Sequence, residues 1–184
     1  RALSAMADVT SIPQPEPLGL GHAVRCGKDA VGDAPFAVML PDDVVDADPP
    51  ALRQMLDVFA EVAGPVLLVE PVPRAAVRQY GIIAAEPVHD GVVRVTDLVE
   101  KPDPDDAPSD LAIIGRYILT PDVFEMLEAT GAGAGGEIQL TDGLRGLLAT
   151  RPIHACVLAG TRFDAGSTLG YLKATLHFAL KRPD

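Results

Sequence analysis

Phe36-Ala37-Val38-Met39-Leu40-Pro41-Asp42-Asp43 is an apolar run stopped by proline and followed at once by two carboxylates. A continuous apolar run reads as a strand buried on both faces, as in a parallel sheet covered by helices. In open α/β sheets, ligands bind outside the carboxyl ends of such strands, and Asp42 and Asp43 fall at that end. A carboxylate there can hold a hard cation such as Mg2+, which takes oxygen ligands and keeps waters and substrate phosphates as the remainder. The same Pro-Asp-Asp also reads as a turn and a helix N-cap, so the flanking segments decide its meaning.

Working outward, Asp48-Pro49-Pro50 starts a helix, with Asp48 as its cap. Leu52, Met55, Leu56, Phe59 and Val62 form its apolar stripe, and Gly64 ends it before a second buried strand at Val66–Val69. Strand, helix and strand of these lengths make a βαβ unit, with parallel strands and a right-handed crossover. Upstream, His22–Ala30 reads as a short helix, preceded by the glycines of Gly19-Leu20-Gly21 and by a proline-rich extended segment that opens with a helix tail. Downstream, Gly81–Ala84 and Val92–Val95 read as an antiparallel pair around His89-Asp90-Gly91. Strands follow at Leu98–Pro102, Leu111–Leu119 and Ile153–Leu158, with helices at Pro121–Ala129, Glu137–Thr150 and Thr168–Leu180. The sum is an α/β protein with a mainly parallel, doubly wound, Rossmann-like sheet and a small antiparallel piece. No repeat or linker divides it, so residues 1–184 read as a single domain.

The 184 residues suffice for a real core, and 48% of them are hydrophobic, so disorder is not the default. A net charge of −11 argues against nucleic acid or an anionic membrane as partner. It does not forbid a phosphorylated ligand held by local dipoles, a few cations and a metal. Cys26 and Cys156 lack metal-ligand spacing and suit two free thiols in a reducing cytoplasm. No signal peptide or transmembrane run is visible.

Three further segments can carry chemistry. In Glu100-Lys101-Pro102, a carboxylate accepts from sugar hydroxyls and an ammonium pairs with phosphate. Adjacent strand residues point to opposite sides, so both reach one ligand only at a strand end, which Pro102 provides; the pair also reads as a surface ion pair. Asp164, between Phe163 and Gly166, reads as a turn residue, or as the partner of Asp42 in a metal site. Gln14 and Gly19 read as a plain loop or as a close approach to a ligand. His22, His89, His154 and His177 share no metal spacing and read as structural or exposed, and Glu137 reads as a structural residue at the head of its helix.

Together these segments resemble a known family. Pro17-Leu18-Gly19-Leu20-Gly21-His22-Ala23-Val24, Leu40-Pro41-Asp42-Asp43, Tyr80-Gly81, Val99-Glu100-Lys101-Pro102, Gly115-Arg116-Tyr117, Gly135-Gly136-Glu137-Ile138-Gln139-Leu140-Thr141-Asp142 and Phe163-Asp164-Ala165-Gly166 occur in the order seen in bacterial UTP–glucose-1-phosphate uridylyltransferases. The resemblance implies transfer of UMP from UTP to glucose 1-phosphate, giving UDP-glucose and pyrophosphate. Gln14 and Gly19 would then read the uracil edge, and Asp42 and Asp164 would bind Mg2+. Gly81 and Glu100 would hold the glucose hydroxyls, Lys101 would pair with the sugar phosphate, and Gly115 would line the sugar pocket. It also implies a homodimer or homotetramer, with Leu172, Leu176 and Leu180 of the last helix facing either an interface or, as the preferred reading, the core. The family's Gly-x-Gly-Thr-Arg loop and Pro-Lys-Glu segment, which grip the triphosphate, do not occur in this sequence. The expectation is therefore a chain lacking the first strands, inactive alone, with an exposed apolar edge at Phe36–Leu40. Thymidylyl transfer and a non-catalytic nucleotide-sugar binding or oligomerising module stand as alternatives.

Overall fold

Apolar runs became strands and periodic runs became helices across residues 6–182, which the computed structural model describes. The helix tail expected at the start falls in residues 1–5, outside the described residues, and residues 6–19 have no regular structure. Gly19, at φ 95, turns the chain into α1 (Leu20–Cys26), and Gly27 links it to a single turn, α2 (Lys28–Val31). Phe36–Met39 forms β1, and after a break at Pro41 Asp43–Asp46 forms β2. In α3 (Ala51–Val62) the capping residue is Pro50 and no side chain caps the helix, so Asp48 does not have the role expected of it. β3 (Val66–Pro71) leads through a 3-10 stretch to the hairpin of β4 (Gly81–His89) and β5 (Val92–Glu100). Then come β6 (Leu111–Leu119), α4 (Val123–Ala129), α5 (Leu140–Leu148), β7 (His154–Val157), β8 (Thr161–Asp164) and α6 (Thr168–Leu180).

Among the described residues, six strands form one sheet in the order β1-β6-β3-β7-β5-β4, and β2 and β8 form a separate antiparallel ribbon. In the sheet only β3 and β7 pair in parallel; β1–β6, β3–β6, β4–β5, β4–β6 and β5–β7 are antiparallel. This corrects the expected mainly parallel sheet. A continuous apolar run reports burial on both faces, and here helices do cover both, but burial says nothing about strand direction. β1 and β3 do run the same way, since both are antiparallel to β6, yet β6 lies between them. The β4–β5 hairpin was expected as a separate small piece and is instead part of the main sheet.

Strand alternation divides the core. Leu67, Val69, Ile113 and Tyr117 point to one face, against Phe124 and Leu127 of α4 and Leu140, Leu144 and Leu147 of α5. Val66, Leu68, Ile114 and Ile118 point to the other, against Ala51, Met55 and Val58 of α3. Each fully buried Leu or Met contributes about 1.5–3 kcal/mol from removal of apolar surface from water. β1 is the exception: it is an edge strand, as the expected open edge at Phe36–Leu40 requires, but its exposure alternates and Met39 is 56% exposed, so the burial on both faces expected there is not found.

Two helices also differ from expectation. α5 begins at Leu140 with Gln139 as its capping residue, so Glu137 precedes the helix in extended conformation. α6 keeps only Ala174 buried, while Leu172, Leu176 and Leu180 are 62%, 58% and 79% exposed. The core-facing reading of that stripe is thereby corrected. α6 is held to the ribbon by its other side, where Phe178 meets Phe163 edge-on and His177 Nε2 lies 2.6 Å from Asp46 Oδ2.

Candidate active site

A cleft of about 340 Å3 opens where the ends of β5 and β8, the start of β4, the middle of β6 and the β1–β2 break converge. Asp42, Gly81, Glu100, Lys101, Gly115 and Asp164 all line it. Gln14 and Gly19 are not among its lining residues.

The acidic end is built by the two-stranded ribbon. Asp43 and Asp164 are register partners, and Ala165 N–H donates to Asp42 O at 2.7 Å, which fixes Asp42 beside the end of β8. A Cβ on Gly166 would lie 3.0 Å from Asp42 Oδ2 and 3.2 Å from Asp164 Oδ1. Both carboxylates therefore border the space that this glycine leaves open. Asp164 also performs the turn role, since its Oδ1 accepts from Gly166 N at 3.1 Å. Among the described residues no three His, Cys, Asp or Glu side chains gather into an all-protein cage. Two hard carboxylate oxygens beside an open cleft fit Mg2+, which draws its remaining ligands from water and phosphates.

Behind the two carboxylates lies a buried ionic cluster. Arg162 Nε pairs with Asp43 Oδ1, and its Nη1 reaches Glu70 Oε1 at 3.0 Å and Tyr80 OH at 3.3 Å. The guanidinium also sits 5.1 Å from the Tyr80 ring centroid. Burial opposes the charge on Arg162, but the Tyr80 hydrogen bond and the Asp43 carboxylate outweigh it and hold its pKa above the ordinary arginine value. Asp43 Oδ2 accepts from Gly115 N at 2.7 Å, and Arg116 donates to Leu40 O at 2.6 Å and to Asp43 O. Arg162 and Arg116 thus fasten the ribbon, and with it Asp42 and Asp164, to β3 and β6. Gly115 is required here because a Cβ would overlap Asp43 Oδ2 and Leu40 Cβ.

Elsewhere along the cleft, Lys101 has φ 45, a left-handed conformation uncommon outside glycine. That bend, secured by Lys101 N donating to Tyr80 O at 3.0 Å, lets both members of Glu100-Lys101 face the cleft. Lys101 Nζ lies 3.5 Å from Glu100 Oε1, while Glu100 Oε2 accepts from Thr141 Oγ1 at 2.7 Å. A Cβ on Gly81 would lie 2.9 Å from Thr141 Oγ1 and 3.2 Å from Glu100 Oε2. Burial, with the Glu100 and Asp43 carboxylates adding to it, raises the Tyr117 phenol above its ordinary range, so it is a neutral donor in the wall.

Gln14 Nε2 donates to Gly19 O at 3.2 Å and lies 3.1 Å from Nδ1 of the buried His22. His22 is structural, as expected. Gly21 N donates to Ile138 O at 2.9 Å and Ile138 N to Leu18 O at 2.8 Å, so the segment around Gly19 lies along the one carrying Glu137. Leu20 and Glu137 line the cleft, so Gly19 adjoins a lining residue, and Gln14 is tied to Gly19 by its hydrogen bond.

Residues 2–180 match the nucleotidyl transferase family model. The chain belongs to the nucleotidyl transferase family. Within the family, it is 46% identical over 182 residues to a UTP–glucose-1-phosphate uridylyltransferase of Bacillus subtilis, covering 99% of this chain and 61% of that protein. Among solved structures it is similar to a UDP-glucose pyrophosphorylase complexed with UDP-glucose, with TM-score 0.88 and 43% identity over 91% of this chain and 64% of that one. It is also similar to a UTP-bound pyrophosphorylase of Acinetobacter baumannii, with TM-score 0.83 and 41% identity over 96% of this chain and 62% of that one. The chain thus spans under two thirds of the length of these relatives. Among the described residues, no helix is long and apolar enough to cross a membrane.

Sequence reading did not single out Arg162, Thr141, Glu70 or Tyr80 as site residues, and it named Asp43 only beside Asp42 as a carboxylate at the strand end. A signal existed for one of them: Arg162 stands two residues before Asp164, on the same face of β8. The others announce themselves only through contacts between distant segments.

Proposed function

We propose that this protein transfers UMP from UTP to glucose 1-phosphate, giving UDP-glucose and pyrophosphate. The observation that carries the reading is the meeting, in one cleft, of the Asp42–Asp164 carboxylate pair with Glu100-Lys101. An acidic pair suited to a metal–diphosphate and a carboxylate–ammonium pair suited to a sugar phosphate then line a single site. The names of the similar proteins add support, since they concern UTP, UDP-glucose and glucose 1-phosphate.

In this reading a phosphate oxygen of glucose 1-phosphate attacks the α-phosphorus of UTP, and the bond to the leaving pyrophosphate breaks in line. Lys101 pairs with the sugar phosphate and orients the attacking oxygen. Glu100 and Gly81 hold the glucose hydroxyls, and Gly115 lines the sugar pocket. Gln14 and Gly19 read the uracil edge, Gln14 by its amide and Gly19 by its backbone. Asp42 and Asp164 would hold Mg2+, which would supply charge neutralisation for the phosphates and the leaving group. The chain's contribution is positioning and charge complementarity, which carry most of the catalysis in phosphoryl-type transfers. No covalent enzyme intermediate is required.

The free thiols of Cys26 and Cys156 suit a cytoplasmic setting. A homodimer or homotetramer would cover the exposed leucines of α6. The alternative for this chain is binding of the nucleotide sugar without turnover. Pyrophosphate release from UTP plus glucose 1-phosphate, set beside release with dTTP, tests the proposal. Release with UTP supports it, and a preference for dTTP points to thymidylyl transfer. UDP-glucose binding with no pyrophosphate release leaves the alternative, binding without turnover.

A further inference from the structure

Glu100 and Lys101 are adjacent in the chain and opposite in charge, and each is useful to a sugar phosphate only while it is not neutralising the other. The left-handed bend at Lys101 brings the ammonium alongside the carboxylate, yet Nζ stops 3.5 Å from Oε1, longer than a charge-assisted hydrogen bond. The group on the other side of that carboxylate is Thr141. Its side chain is in the first turn of α5, the residue is 8% exposed, and its Oγ1 donates to Glu100 Oε2 at 2.7 Å. A threonine hydroxyl has one proton to give, and here it goes to Glu100. Gly81 faces the same two oxygens without a side chain, which leaves the carboxylate open toward the cleft.

We propose that Thr141 is a positioning residue that holds the Glu100 carboxylate away from Lys101, keeping one free to accept from hexose hydroxyls and the other free for phosphate. The inference rests on the function proposed above and adds to it a determinant of preference for a nucleotide sugar over the bare nucleotide. Without the Thr141 hydroxyl, Oε2 loses its donor, the carboxylate swings toward the half-exposed Lys101, and the two charges close on each other.

The test is isothermal titration of the protein with UDP-glucose and with UDP, each with Mg2+, for the parent, Thr141→Val and Thr141→Ser. UDP has no hexose, so a general loosening of α5 would weaken both ligands alike. We expect Thr141→Val to lose about tenfold in UDP-glucose affinity, the scale of one hydrogen bond to a charged group. UDP keeps the phosphate that Lys101 meets but lacks the hexose that Glu100 meets, so its affinity should fall clearly less than that of UDP-glucose, and Thr141→Ser should recover the parent value for both, because it restores the same donor. Should Thr141→Val fail to fold, Thr141→Ala is read the same way. Equal losses for both ligands, or no loss for either, overturn the inference while leaving the functional reading intact. A parent that binds neither ligand overturns both.

Discussion

Replacing Arg162 with methionine should unfold the acidic end of the cleft more readily than any surface change could. Arg162 and Asp43 side chains are each only 8% exposed, so solvent screens their attraction little. With the guanidinium gone, Asp43 Oδ1 loses its ion pair, Glu70 loses a partner at 3.0 Å, and Gly115 N–H remains as the donor to Oδ2. Stranding one partner of a buried pair costs about 3–5 kcal/mol, a large share of the roughly 5–15 kcal/mol that holds a typical domain together. At about 2–4 °C per kcal/mol for a domain of this size, the midpoint of thermal unfolding should fall by about 6–20 °C. Urea unfolding followed by circular dichroism measures the loss directly. The double variant Asp43→Asn with Arg162→Met should recover part of it, because the stranded charge is then absent. A loss below about 1 kcal/mol, the range of exposed ion pairs, would refute this reasoning, as would strictly additive effects of the two substitutions.

Gly166→Ala should place a methyl 3.0 Å from Asp42 Oδ2 and 3.2 Å from Asp164 Oδ1. Metal affinity should drop by about 10- to 100-fold, as when the immediate support of a metal site is disturbed; Mn2+ titration by electron paramagnetic resonance checks this, with the urea midpoint nearly unchanged. His154 has a lowered pKa, first because it is buried and then because Arg94 is near, and its Nδ1 has no hydrogen-bond partner among the described residues. The unfolded chain therefore takes up that proton first as pH falls through about 6.5, and stability drops with acid until the folded state also protonates. His154→Gln should flatten this dependence below about pH 6.5, read from urea midpoints; an unchanged slope would assign the proton uptake to other groups.

Much of the fold was legible because apolar runs and helical stripes report burial. Val66–Val69, Leu111–Leu119 and the stripe of α3 were readable for that reason. Strand direction was not, because residues on both faces of β3 are equally apolar whether its neighbour is the parallel β7 or the antiparallel β6. Phe36–Met39 misled as to burial, because its composition suits a strand covered on both faces while its exposure alternates; its open edge was expected. The leucines of α6 misled in the same way: their spacing marks a face but not what meets it. At the site, Asp42, Glu100 and Lys101 were legible because each follows an apolar run, and Asp164 because it sits in the Phe163–Gly166 turn. Arg162 and Thr141 were not, since what distinguishes them is a contact across more than a hundred residues to Asp43 in one case and from α5 to Glu100 at the end of β5 in the other.

The most direct measurement is an anomalous difference map from crystals grown with UDP-glucose and Mn2+. A manganese peak coordinated by both Asp42 and Asp164, with the diphosphate beside it and the hexose at Glu100, is the predicted result. A nucleotide sugar seated elsewhere, or manganese bound away from that pair, would contradict the account.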